Sequence, residues 1–256
     1  MKDKVAIITG STAGIGLAIA KSLAQHGASV VINGRTLDKL KQAEREIEEL
    51  GGKVLSVQAD ASDEESIKRI VKETLEYFGK IDILVNNAAT TGVGVSVAEM
   101  SVETWDEVLN VNLRGVFLCC KTVIPYLADG SRIVNIGGLS SKNPLPFGVA
   151  DACSKAGILA LTRCLAAELG TKNITVNAVI PGLQPETETG QEFISKLAKV
   201  FHTDEQTVIN GTIQKTLLKR TETADEVAET VAFLCSENAS AITGQNLNVN
   251  CGLATY

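Results

Sequence analysis

The stretch Thr9-Gly10-Ser11-Thr12-Ala13-Gly14-Ile15-Gly16 limits what this chain can fold into more than any other. A short β-branched run, Val5-Ala6-Ile7-Ile8, precedes it and reads as a buried strand. After it, Leu17, Ala20, Leu23 and Ala24 recur at helical spacing up to His26. Strand, glycine-rich turn and helix start, in that order, form an anion site. The first helical N–H groups are unpaired there, and the helix dipole adds partial positive charge. Gly10 permits the tight turn, Gly14 lets a pyrophosphate approach the backbone, and Gly16 allows close packing of helix on strand. Ser11, Thr12 and Ile15 complete the candidate cofactor-binding loop. The spacing is G-x-x-x-G-x-G rather than G-x-G-x-x-G. An ordinary glycine-rich βα turn is the competing reading, and the rest of the chain has to decide between them.

Strand and helix patterns then alternate. Ser29–Asn33 reads as a second strand, Leu37–Leu50 as a polar helix, Val54–Gln58 as a third strand, and Ile67 to Phe78 as a helix capped by Ser62 or Asp63. Ile81–Val85 is a fourth strand, ending in Asn86-Asn87-Ala88-Ala89. Alternation at this interval implies right-handed parallel crossovers and an α/β, doubly wound parallel sheet. Such sheets bind ligands beyond the carboxyl ends of their strands. Gly10–Gly16, Arg35, Asp60 with Ala61, and Asn87 with Ala88 all fall at those ends, so one cofactor can touch them all. An acid closing the second strand would favour NAD; here Gly34 stands there and Arg35, a fork suited to phosphate, follows. The cofactor expected is NADP(H) in preference to NAD(H).

The length, 256 residues, suits one α/β domain over 1–256, and a net charge of −6 gives no reason to expect nucleic acid as a partner. No charged leader precedes Val5 and no apolar run approaches the ~20 residues of a membrane span, so a cytoplasmic chain with no membrane partner is expected. The six cysteines include no C-x-x-C pair and only His26 and His202 could assist them, so reduced, mostly buried thiols and no metal site are expected.

Thr9–Gly16, Asp60, Asn86-Asn87-Ala88, Asn112 in Val111-Asn112-Leu113, Pro181-Gly182 and Ile242-Thr243-Gly244-Gln245 together resemble the short-chain dehydrogenase/reductase family, and in particular its 3-oxoacyl-ACP reductase-like members. The resemblance runs from Lys4 to Gly252. It implies a single Rossmann-type domain of about seven strands, a nicotinamide cofactor, a small-molecule substrate, and a homotetramer or homodimer. It also places Asn112 in a helix, Thr104–Leu127, as the family's relay asparagine, which breaks the helix bonding locally and holds a water. Pro181 and Gly182 match cofactor-binding positions, and the segment at about 183–220, with helical stretches Glu192–Phe201 and Asp204–Lys215, resembles the family's substrate covering. Arg132–Ile136, Ile174–Ile180 and Asn246–Val249 read as the remaining strands, with Ala224–Cys235 as a helix between the last two.

The family's catalytic pattern then breaks. It uses a tyrosine four residues before a lysine and a serine some thirteen residues before the tyrosine. Lys155 is in place, able to hold the nicotinamide ribose, but the tyrosine position is Asp151 and the serine position is Gly138. Tyr77, Tyr126 and Tyr256 lie elsewhere, the wider spacing of the enoyl-reductase variant falls on Gly148, and Ser140 or Ser141 could replace the serine. An aspartic acid ordinarily titrates near ~3.9 and a tyrosine near ~10. A carboxylate beside a lysine cannot give a proton to a forming alkoxide. Asp151 either joins Asn112 and Lys155 in catalysis or merely caps the helix that begins there. Three functions follow: a reductase of a conjugated enone or specialised carbonyl, a redox-neutral enzyme with Asp151 as base, or a catalytically degenerate nucleotide-binding subunit.

Overall fold

Runs of apolar, β-branched residues become strands where both faces can be covered. In the computed structural model, which describes residues 1–256, they form β1 (Val5–Ile8), β2 (Ser29–Gly34), β3 (Val54–Gln58), β4 (Ile81–Asn86), β5 (Leu127–Ile136), β6 (Thr175–Pro181) and β7 (Asn246–Val249). They pair in parallel throughout, in the order β3-β2-β1-β4-β5-β6-β7. Every residue of β1, β4 and β6 is buried, as a parallel sheet with helices on both faces requires. This is the expected α/β doubly wound, Rossmann-type sheet.

The helices are α1 (Gly14–Gln25), α2 (Leu37–Glu48), α3 (Glu64–Phe78), α4 (Val102–Leu109), α5 (Gly115–Val123), α6 (Val149–Leu169), α7 (Glu188–Val200), α8 (Glu205–Lys215) and α9 (Ala224–Cys235). One core joins a sheet face to α1, α2 and α9 through Ile19, Leu23, Leu40, Ile47, Val227 and Val231. The other joins the opposite face to α3, α5 and α6 through Ile67, Ile70, Leu118, Val123, Ile158 and Leu165. β1 lies between β2 and β4, so the crossovers diverge from the β1/β4 boundary and open a crevice above it.

Several boundaries differ from the sequence reading. The expected helix Thr104–Leu127 runs from Val102 and is interrupted by a π-helical turn, Asn110–Arg114, in which the Gly115 N–H reaches back to the Asn110 carbonyl. Leu127 belongs to β5, which starts five residues before Arg132 and crosses an irregularity between its pairings with Ile81 and Ile83. Asp129 and Gly130, the latter at φ +80°, lie inside this strand. α6 begins at Val149 rather than Asp151, and α7 at Glu188 rather than Glu192. Asp63, not Ser62, caps α3, accepting the Ser66 N–H at 2.8 Å.

The continuous helical stretch Val102–Tyr126 is, by length and composition alone, long and apolar enough to cross a membrane. Asn110, Asn112 and Arg114 interrupt its apolar run in the sequence. In the fold it is a core helix, with Val116, Leu118, Cys119 and Val123 packed in the second core. All six cysteines are free; Cys119, Cys120, Cys235 and Cys251 are buried, and Cys153 and Cys164 are exposed. Burial pushes the Cys120 and Cys235 thiols up to about 12. No group of three His, Cys, Asp or Glu side chains is placed to hold a metal ion.

α6 meets the π turn through Gly157, where a Cβ would stand 2.7 Å from Leu113 Cδ2. Gly157→Val should overpack this contact and lower stability by about 1–3 kcal/mol, read from the urea midpoint. An unchanged midpoint would show that the two helices do not depend on this close approach.

Candidate active site

Local chemistry at the end of β1 builds the first part of the site. Gly10 and Gly14 take φ of +61° and +54°, a region side chains rarely adopt. A Cβ on Gly10 would sit 2.8 Å from Ala88 Cα, and one on Gly16 would sit 2.4 Å from both Asn87 Nδ2 and the Gly10 carbonyl oxygen. Asn87 uses this closeness to donate from Nδ2 to the carbonyls of Thr9 and Gly10 at 3.0 and 2.9 Å. The Thr9 hydroxyl accepts the N–H groups of Asn87 and Ala88 in return. α1 starts at Gly14 with no side-chain cap and no acid in its first turn, so its leading N–H groups face the crevice unopposed. A dinucleotide pyrophosphate fits this cradle.

The predicted cofactor residues divide by what they can touch. Ser11 is wholly buried; its hydroxyl donates to the Ile8 carbonyl at 2.7 Å and accepts the Asn33 N–H, so it shapes the loop from inside. Thr12 and Ile15 are half-buried, Ile15 leaning on the first core. Thr12 occupies the place a side chain at 34 would need, its Cγ2 lying 2.4 Å from a Gly34 Cβ. Arg35 is exposed at the end of β2, its guanidinium unpaired by any carboxylate. Asp60 accepts the N–H and hydroxyl of Ser62, and Ala61 is buried beside it. Pro181 and Gly182 stand where β6 leaves the sheet.

The catalytic side is assembled from the π turn, the loop after β5 and the start of α6. Asn112 is fully buried; Oδ1 accepts the Thr90 N–H at 2.8 Å, while Nδ2 donates to the Thr90 carbonyl at 3.0 Å and to Ser154 Oγ at 3.2 Å. Its amide is a brace joining the loop after β4 to α6. Lys155 is buried and reaches the Ile136 carbonyl at 3.3 Å. Burial lowers its pKa, and the charge of Asp151 works in the opposite sense.

Asp151 does not cap α6. The cap position is Gly148, with Asp151 third in the helix, and its carboxylate Oδ2 accepts a 2.5 Å hydrogen bond from Ser140 Oγ. Of the two alternative serines, Ser140 therefore faces the site. Ser141 turns away to the Gly138 carbonyl. At Gly138 itself a Cβ would lie 3.2 Å from Lys155 Cγ, so the lysine stem runs along the missing side chain's place. The tyrosines offer no substitute: all three are exposed, and the Tyr256 hydroxyl is bonded to Asn143.

Comparison with known proteins bears on the fold and the family. The family model described as enoyl-(acyl carrier protein) reductase matches residues 10–254. The chain is 36% identical to the 3-oxoacyl-(acyl-carrier-protein) reductase FabG of Thermotoga maritima, over 99% of this chain and 98% of that one. It is 35% identical to glucose 1-dehydrogenase 2 of Bacillus subtilis, over 100% and 96%. Among solved structures, a variant of actinorhodin polyketide ketoreductase with NADPH superposes with a TM-score of 0.93 at 33% identity, covering 99% of this chain and 98% of that one. A short-chain dehydrogenase/reductase of Serratia marcescens gives 0.89 at 31% identity, with 99% of both chains covered. The chain belongs to the short-chain dehydrogenase/reductase family. It is an NAD(P)-dependent oxidoreductase of that family.

Sequence reasoning singled out neither Gln184 nor Glu222, two buried polar side chains bonded to each other beside Gly182. Glu222, in Thr221-Glu222-Thr223, carries no pattern that separates it from a surface loop acid.

The lowered Lys155 pKa has a consequence for stability. A group whose folded pKa is depressed gives its full stability above the unfolded value and loses it as pH falls through the folded one. Lys155→Met should therefore raise the melting temperature of the cofactor-free protein more at pH 7 than at pH 10, while abolishing turnover. Thermal melts of both proteins at the two pH values check the sign, and an equal difference at both would contradict it.

Proposed function

We propose that the chain is an NADP(H)-dependent oxidoreductase with a rebuilt proton-handling group, acting on a conjugated enone or a specialised carbonyl rather than on simple ketones. The observation that carries this reading is the Ser140–Asp151 hydrogen bond in the place of a tyrosine and serine. A bound nicotinamide supplies or takes the hydride. The glycine loop and the α1 terminus hold the pyrophosphate, Arg35 the 2′-phosphate, and Lys155 the nicotinamide ribose. The Ser140 hydroxyl has a lone pair for a substrate proton and passes its own to Asp151, or returns it when Asp151 is protonated. A carboxylate beside a developing alkoxide opposes its charge, so a conjugated enone, whose hydride adduct is an enolate with the charge shared between oxygen and carbon, is favoured over a simple ketone. The same pair favours proton removal, which supports a second reading: Asp151 as base in a redox-neutral elimination or isomerisation. NADPH consumption separates the two.

Arg35 is exposed without a carboxylate partner and Gly34 leaves no acid to repel a phosphate, which supports NADP(H) over NAD(H). One charged fork on the 2′-phosphate should contribute about 1.5–3 kcal/mol, or about tenfold to hundredfold in affinity. Titrating both cofactors into wild type and Arg35→Ala checks this: the preference should fall in the variant, and equal affinities in wild type would refute it.

For the chemistry, NADPH oxidation is followed with conjugated enones and with saturated ketones. Enones should turn over faster in wild type, and Asp151→Asn should lose about 10²-fold or more in turnover while binding NADPH as wild type does. Saturated ketones reduced as fast as enones, or full turnover in Asp151→Asn, would sink the assignment.

A further inference from the structure

Glu222 lies just before α9 and is only 3% exposed. Burying a carboxylate is costly unless charge or hydrogen bonds compensate it. No cation is bonded to it, since Arg220, two residues earlier, is held as a fork by Glu226 at 2.6 and 2.7 Å. Its Oε1 instead accepts the Gly182 N–H at 2.5 Å and Nε2 of Gln184, a side chain itself 6% exposed. Burial raises its pKa, with these hydrogen bonds opposing.

Both donors belong to the turn where the chain leaves the sheet. β6 ends with Pro181 opposite Val249, so the Gly182 N–H is the first beyond the ladder and needs a partner. The Gln184 carbonyl accepts the Thr187 N–H and hydroxyl at 3.1 and 3.0 Å. Thr187 Oγ1 in turn accepts the Gly190 N–H at 3.0 Å and so caps α7. Its Cβ comes within 3.5 Å of where a Gly14 Cβ would stand. Glu186 fastens the same turn to α9 by accepting the Ala224 N–H at 2.9 Å. A single hydrogen-bonded chain thus leads from Glu222 through Gln184 and Thr187 to the start of α7, over the glycine-rich loop.

We propose that Glu222 is a positioning residue that sets the Pro181–Thr187 turn, and with it the start of the covering helix α7, against the cofactor cleft. The role needs an acceptor oxygen at Oε1 and not a negative charge. It rests on a nicotinamide cofactor occupying the glycine-rich cleft, but not on which substrate is reduced or on NADP(H) being preferred.

The test uses the full chain as wild type, Glu222→Ala and Glu222→Gln. NADPH affinity is read from the fluorescence of the reduced nicotinamide. Trypsin cleavage at Lys196 and Lys199 of α7 is read without cofactor, so that arm does not depend on binding. Glu222→Ala should weaken NADPH binding and speed that cleavage, each by about tenfold or more, as the loss of two buried hydrogen bonds implies. Glu222→Gln should stay within about twofold of wild type in both, because its amide oxygen can accept the same two N–H groups. Wild-type affinity or wild-type cleavage in Glu222→Ala would overturn the proposal, and so would a Glu222→Gln as impaired as Glu222→Ala. If Glu222→Ala does not fold, Gln184→Ala, which leaves the Gly182 bond in place, decides by the same cleavage assay: faster cutting of α7 is expected, and a wild-type rate overturns the proposal.

Discussion

Everything at the cleft depends on two strand ends passing each other with no side chain between them. Gly10 lies against Ala88 and Gly16 against Asn87, each closer than a Cβ would allow. That closeness lets Asn87 and Ala88 make four hydrogen bonds to Thr9 and Gly10 between the exits of β4 and β1. These exits flank the point where the sheet's crossovers diverge, so the bonds hold the floor of the crevice. The uncapped start of α1 then aims its N–H groups into that crevice, and the affinity for an anion follows from backbone geometry alone.

The catalytic wall depends on a different contact, that of α6 with the π turn. Gly157 lets Leu113 approach, Asn112 bonds to Ser154 one turn away, and Lys155 is carried to the Ile136 carbonyl. None of these contacts involves residue 138 or 151. These three contacts are therefore made without the Asp151 carboxylate, which acts on the lysine through its charge. With Asp151 and Gly138 at the positions of the family's tyrosine and serine, the Ser140–Asp151 bond links the loop after β5 to the first turn of α6.

What the sequence made legible follows from how local each signal is. The glycine turn, the β-branched strands and the helical spacing are set by short-range sterics and periodicity, and the parallel, doubly wound sheet follows from alternation. Boundaries failed where tertiary context decided them: β5 begins at Leu127 because Ile81 pairs with it across an irregularity, past residues that look like a turn. Ser11, polar and in the phosphate loop, reads as a ligand contact, yet Ile8 and Asn33 use up its hydroxyl. Choosing Ser140 over Ser141 required the direction of a three-residue turn, which no periodicity encodes. Glu222 was illegible for the same reason, since its partners Gly182 and Gln184 lie about forty positions earlier in the chain.

The exchange of phenol for carboxylate alters the electrostatics around the lysine. In the family pattern a cation lowers the pKa of a neutral acid, and the pair passes a proton to an oxygen that gains charge. Here the buried lysine loses affinity for its proton through desolvation and regains part of it from Asp151. The carboxylate thus favours the cationic form of the lysine in a dry site, as well as accepting the Ser140 hydroxyl. A group serving both needs is held where a capping residue would not be: inside the helix, turned from its backbone N–H groups and toward the loop that carries Ser140. Its carboxylate charge would oppose a localised alkoxide more than a delocalised enolate, and this supports reading the site as one whose substrate oxygen bears less charge than an alkoxide's.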